Sequence, residues 1–233
     1  MIPPANSLLL SLIGGIIPAL IWLMFWLRED RRRPEPRGLI MFTFFCGMVA
    51  VPLVIPFQKW VLDNFPSDTN LVFLLWAGIE EAFKLGAAYF AALRKKEYNE
   101  PVDALIYMMT AALGFAAAEN AIFIFEPLSE GNVTESLITG NIRFIGASLL
   151  HTLSSAVIGV AMALSYYKTE VIRLRDVFWG FLIAVVLHTI FNLFIIKEHG
   201  GTTFAMFGFV WISVVILMLF FEKIKHIHLN KIE

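Results

Sequence analysis

An all-α, polytopic membrane bundle is the fold class this sequence predicts, and three observations predict it. The 233 residues are 58% hydrophobic and 16% charged, with a mean hydropathy of +0.74, a composition foreign to soluble globular domains. About 20 consecutive apolar residues cross a bilayer core, and runs of that length recur along the whole chain with short polar breaks. Basic residues collect in alternate breaks, as cytoplasmic loops require.

Seven spans are expected: Ala5 to Leu27, Gly38 to Leu62, Asn70 to Leu93, Pro101 to Phe125, Ile142 to Tyr166, Val177 to Ile196 and Phe204 to Phe221. The first is too long for the apolar core of a signal peptide and lacks a basic leader, so it reads as a retained helix. The first two resemble ordinary lipid-facing helices, kinked at Pro18, Pro52 and Pro56. Trp22, Trp26, Trp60, Trp76 and Trp179 lie towards span ends, where indole rings anchor in the interface. Spans three to six carry small residues, including Gly114 and Ala118 and the ladder Ser155, Gly159 and Ala163, whose faces let helices approach closely. They are the expected core, within one membrane domain spanning residues 1–233 and a catalytic region of about 70–196. The segment Glu126 to Asn141 reads as the longest outer loop, an acidic connector or a lid.

Orientation follows from charge. Arg28, Arg31, Arg32, Arg33 and Arg37 follow the first span; Arg94, Lys95 and Lys96 the third; Lys168, Arg173 and Arg175 the fifth; and Lys223, Lys225 and Lys231 the seventh. The opposite side has only Lys59, Arg143 and Lys197. An N-out, C-in topology is expected. The lone Cys46 excludes an internal disulfide and a thiolate metal cluster. The lipid bilayer is an expected partner and nucleic acid is not.

Ionisable residues in such spans are costly, by roughly 2.5–3.5 kcal/mol for a charged group at a helix centre, and mark function. Glu80, Glu81 and Lys84 share one helix face, with the ammonium between the carboxylates. Phe115 and Glu119 stand one turn apart, with Asn120 beside the carboxylate. His151 is flanked by Ser148, Thr152, Ser154 and Ser155, and a hydrogen-bonded core histidine is its plain alternative. His188 and Asn192 share a face one turn apart. At 1.5 Å per residue, Glu80, Glu119, His151 and His188 lie roughly 10–15 Å from the outer boundary, in one layer.

Two chemistries fit that layer. Glu80, Glu119, His151 and His188 could bind a divalent metal such as zinc and leave a position for water. Alternatively, a glutamate activates water without metal while His188 and Asn192 donate to the oxyanion of a peptide carbonyl. No His-Glu-x-x-His helix, Gly-x-Ser-x-Gly serine or mid-membrane aspartate pair occurs, so a protease of this sequence belongs to a glutamate class. The competing reading is a proton- or cation-coupled transporter or a membrane ion sensor, although neither an inverted repeat nor paired broken helices is visible.

Glu80-Glu81-Ala82-Phe83-Lys84 resembles the EExxK motif of the PrsW family. Phe115 through Glu119-Asn120 resembles its FxxxEN element, His151 with Gly159 its third element, and His188 through Asn192 its HxxxN element. The resemblance covers Glu80 to Asn192, about half of the chain. It implies an intramembrane protease that makes the first, extracytoplasmic-side cut in a single-pass anti-sigma factor in a bacterial cytoplasmic membrane, as part of an envelope-stress response. It further implies Glu80 as the water-activating base, His151 or Glu119 assisting, His188 and Asn192 at the oxyanion, and Glu81 and Lys84 tuning the base. PrsW proteins are similar to CAAX prenyl endopeptidases and bacteriocin-immunity proteins, but here Lys84 comes one residue earlier than their arginine and Glu119 replaces a histidine.

Overall fold

The computed structural model describes residues 4–30, 33–67, 69–197 and 203–229. Among these residues are eight α-helices: α1 (Pro4–Leu27), α2 (Arg37–Asn64), α3 (Asn70–Ala88), α4 (Pro101–Ser129), α5 (Val133–Ile145), α6 (Ala147–Leu164), α7 (Glu170–Lys197) and α8 (Thr203–Leu229). A π-helical turn, Tyr89–Leu93, continues α3. Five helical segments are long and apolar enough to cross a membrane: Asn6–Leu27, Arg37–Asn64, Pro101–Ser129, Val133–Leu164 and Glu170–Leu193. Of the other two expected spans, the third lies on α3, which carries Glu80, Glu81 and Lys84, and the seventh lies on α8, whose side chains before residue 208 fall outside the described residues. The chain is a multi-pass helical membrane protein.

The bundle is organised around α4. Its Ala-, Met- and Gly-rich sequence is apolar on every side, and a helix of that kind is buried all round; every residue from Pro101 to Ala117 is buried. The small-residue ladder of α6 faces it, with Gly159 against Ala104 and Leu105. The first two helices, expected to be peripheral, instead clasp α4. Gly47 of α2 and Gly114 of α4 are reciprocal: a Cβ on the first would overlap the carbonyl oxygen of Ala111, and one on the second that of Phe44. Only glycine permits such an approach, which replaces the missing hydrophobic drive between helices in lipid with close packing. Trp26 also departs from expectation, since it is 1% exposed and stacks on Phe221 of α8.

The expected outer loop is mostly helix. α4 continues to Ser129, the chain turns at Gly131 with φ 86°, and α5 starts at Val133. Asn132 caps α5 by accepting a hydrogen bond from the Glu135 amide at 3.2 Å. The fifth expected span is divided at Gly146, where α5 bends into α6. Its last turns, carrying Arg143, therefore close over the polar layer.

All the basic interhelical segments lie at one end of the bundle. There Glu100 and Pro101 open α4 through a capping box with Asp103, whose Oδ2 accepts from the Asn99 and Glu100 amides at 2.8 Å each. Glu35 from the α1–α2 segment meets the Tyr107 hydroxyl there. Burial, then the nearby Asp103, pushes the Glu35 carboxyl up to about 9, and burial pushes Asp30 up to about 7. The native state therefore keeps the Glu35 proton that the unfolded chain releases near its ordinary carboxylate pKa. Its contribution is complete in acid and is lost as pH rises through about 9. A Glu35→Gln chain in detergent should show a smaller fall in melting temperature than the parent between about pH 5 and about pH 9.

Candidate active site

Five helices supply the polar layer. Glu80, Glu81 and Lys84 come from α3, Phe115 and Glu119 from α4, His151 from α6, and His188 and Asn192 from α7. The fifth helix, α2, supplies Gln58, a residue that the sequence did not single out.

The two adjacent glutamates have opposite surroundings. Glu81 is fully buried and accepts four hydrogen bonds: Oε1 from Lys84 Nζ at 2.8 Å, Ser154 Oγ at 2.9 Å and His188 Nδ1 at 2.8 Å, and Oε2 from Ser155 Oγ at 2.7 Å. Glu80 accepts one, from Gln58 Nε2 to Oε1 at 2.9 Å. Its Oε2 is buried without a hydrogen-bond partner among the described residues. Around Oε2 stand His188 Nε2 at 3.5 Å, Lys84 Nζ at 3.8 Å and His151 Nδ1 at 3.9 Å. Glu81 is thus an anchor, and Glu80 is left open on one side.

Each histidine is held by a carboxylate through one ring nitrogen and turns the other towards Glu80. His188 Nδ1 donates to Glu81, which leaves the Nε2 lone pair of a neutral ring free. His151 Nε2 lies 2.8 Å from Glu119 Oε2, and its Nδ1 lies 2.8 Å from Lys84 Nζ. An ammonium can only donate, so Nδ1 is the acceptor and the ring proton points to Glu119. The Phe115 ring packs against His151 with centroids 5.4 Å apart and lies 4.7 Å below Lys84 Nζ. Glu80, His151 and His188 can each present one ligand atom, with all three atoms within 4.8 Å of one another. Glu119 stands outside that group, behind His151.

Arg143 of α5 closes the layer. It donates to Glu119 Oε2 at 2.6 Å and to Asn120 Oδ1 at 2.7 Å, and its guanidinium stacks 3.8 Å from the Phe123 ring centre. Asn120 passes this order to α6 by donating to Ser148 Oγ at 3.0 Å, so it braces the site rather than facing Glu80. A cavity of about 410 Å³ opens above Glu80, His151 and His188, with Asn192 on its wall. Gln58 is fixed in turn because its backbone carbonyl accepts from Trp76 Nε1 at 3.2 Å.

The sequence profile described as "PrsW family intramembrane metalloprotease" matches residues 35–220. The chain belongs to the PrsW family. It is 24% identical over 214 residues to Protease PrsW of Halalkalibacterium halodurans, covering 87% of this chain and 93% of that protein. With Protease PrsW of Geobacillus kaustophilus it shares 28% over 205 residues, 84% of this chain and 85% of the relative. With that of Bacillus subtilis it shares 23% over 200 residues, 84% and 87%. No solved structure matches. The PrsW membership makes the chain an intramembrane protease, and the buried Glu-His-His group is where its chemistry can reside.

Gln58 should matter to a PrsW protease for a physical reason: without its amide, both Glu80 oxygens lose direction. A Gln58→Ala chain is expected to lose about tenfold to a hundredfold in kcat/KM, corresponding to the roughly 1–3 kcal/mol attached to a buried polar group left unpaired. A Gln58→Asn chain should recover little, because the shorter amide does not reach. Cleavage assays on both variants check this.

Proposed function

We propose that Glu80, facing Nδ1 of His151 and Nε2 of His188, hydrolyses a peptide bond in a single-pass membrane protein near the extracytoplasmic side. The observation that carries this reading is the unpartnered Glu80 Oε2, opposite two imidazoles already oriented by Glu81 and Glu119. The gathering of basic segments at the opposite end supports an N-out, C-in orientation, which puts the cavity in the outer half of the bilayer.

The donor set fits a divalent ion such as zinc. Glu80, His151 and His188 would hold it, and the Glu81–His188 and Glu119–His151 pairs are the carboxylate–histidine pairs that fix imidazole ligands elsewhere. The family's description as a metalloprotease supports this assignment. Such an ion, when bound, would polarise the scissile carbonyl and lower the pKa of its water. To accommodate it, Lys84 has to release His151 Nδ1, and the adjacent Glu81 keeps its ammonium in place. In this reading His188 offers a lone pair rather than a proton, so Asn192 is the group left to donate to the developing oxyanion. Without an ion, Glu80 Oε2 is the group free to take the proton of the attacking water and later return it to the leaving amine.

The closer assignment of the substrate to an anti-sigma factor, cut first in an envelope-stress response, rests on the family resemblance. Mass-spectrometric comparison of membrane-protein N-termini in cells expressing the chain or its Glu80→Gln form tests the reading. New termini just outside one single-pass helix, present only with the unsubstituted chain, support it and name the substrate; identical profiles under envelope stress overturn it.

A further inference from the structure

The outer surface of the bundle is interrupted where α2 and α4 part. Below Phe115 the two helices are clasped through Gly47 and Gly114, and α4 is covered on all sides up to Ala117. Beyond that point the stripe of α4 that follows Phe115 is uncovered: Glu119 is 20% exposed in its side chain, Ile122 51% and Phe123 46%. On the opposite wall Ile55 of α2 is 49% exposed.

The sequence of α2 explains the parting. Pro52 and Pro56 lack the amide protons that would bond to the carbonyls of Met48 and Pro52, so the helix is free to deviate there. Past them α2 is tied to α3 instead of α4. Phe57 packs on Phe83 with ring centroids 5.4 Å apart, the Gln58 carbonyl accepts from Trp76, and the Gln58 amide reaches Glu80. The 410 Å³ cavity lies in the resulting cleft, with Glu80 and both histidines at its floor.

We infer that the scissile stretch of a single-pass substrate reaches the site sideways from the bilayer, through this cleft, as an extended strand flanked by Ile55, Ile122 and Phe123. The inference rests on the hydrolase reading and adds the route and the conformation. The cleft combines an apolar rim with a polar floor and wall formed by Glu80, His188, Asn192 and Gln58. An acyl chain would leave those groups unpaired in a dry site, which is costly. A peptide removed from its helix brings free N–H and C=O groups that in lipid need such partners.

A second groove, about 610 Å³ between α6, α7 and α8, competes as a docking place. Its walls are apolar, including Val157, Trp179 and Ile183, and it lies on the opposite side of α6 and α7 from Glu80. The test uses the full chain in proteoliposomes with the single-pass protein whose cut the N-terminal comparison identifies. Photocrosslinking residues are placed at Ile55, Ile122 or Ile183 in the Glu80→Gln background, and Trp is placed at the same positions in the active chain. Crosslinks from positions 55 and 122 to residues around the cut are expected, with none from 183. Ile55→Trp and Ile122→Trp should lower kcat/KM about tenfold, mainly through KM, the signature of lost binding. Ile183→Trp should cleave normally. Crosslinks confined to 183, or full activity of both cleft variants, would overturn the route while leaving the hydrolase reading intact. Absence of cleavage by the unsubstituted chain would overturn both.

Discussion

Glu80→Gln should give a chain that inserts and folds normally yet loses cleavage by about 10²–10⁴-fold, the range attached to a positioned acid–base group. The substitution keeps the side chain's size and its acceptor for the Gln58 amide. It replaces the free Oε2 by an amide that can neither take a proton nor serve as an anionic ligand. Because Oε2 has no hydrogen-bond partner among the described residues, the fold loses little. His188→Ala should match it in activity, since the Nε2 lone pair 3.5 Å from Glu80 is lost. The expected signature in both is failed cleavage, with melting temperature unchanged for Glu80→Gln and lowered for His188→Ala, which also takes a hydrogen bond from buried Glu81.

The neighbouring Glu81 should behave in the opposite way. Glu81→Ala removes the acceptor of four hydrogen bonds and leaves the Lys84 ammonium, fully buried, without its closest counter-charge. Breaking a buried pair by deleting one partner costs about 3–5 kcal/mol, a large share of any domain's stability. Low yield, proteolysis in the membrane and a depressed melting temperature are expected for Glu81→Ala. The double variant Glu81→Ala, Lys84→Met should recover folding while staying inactive, because it removes the orphaned charge but not the need to orient His188. Yield and thermal unfolding of the three chains, compared with Glu80→Ala, separate anchor from reacting group.

The helical class, the separation of basic and apolar ends and the convergence of Glu80, Glu119, His151 and His188 were all legible in the sequence, because ionisable groups in long apolar runs are conspicuous. The division of labour between Glu80 and Glu81 came from the family resemblance alone, not from their spacing. On α3 the two are about 100° apart, and the placement of Ser154 and Ser155 on α6 and of His188 on α7 gives Glu81 three of its four donors. Gln58 was hidden by its position near the end of the second span, where polar residues are ordinary. Arg143 was hidden as a basic residue at a span boundary. The Glu126–Asn141 segment was misread as a loop because its acids, Pro127 and Gly131 outweighed the apolar stripe Val133, Leu137, Ile138 and Ile142 that marks α5. The clasp of α2 on α4 depends on single glycines, and glycine 47 looks no different in sequence from a glycine facing lipid.

The most direct measurement is cleavage of one reconstituted single-pass substrate by the purified chain in proteoliposomes, run in ¹⁸O-labelled water, beside its Glu80→Gln form. One cut near the outer end of the substrate helix, one labelled oxygen in the new carboxyl group and no product from the variant are expected. Product formed at an equal rate by Glu80→Gln would contradict it.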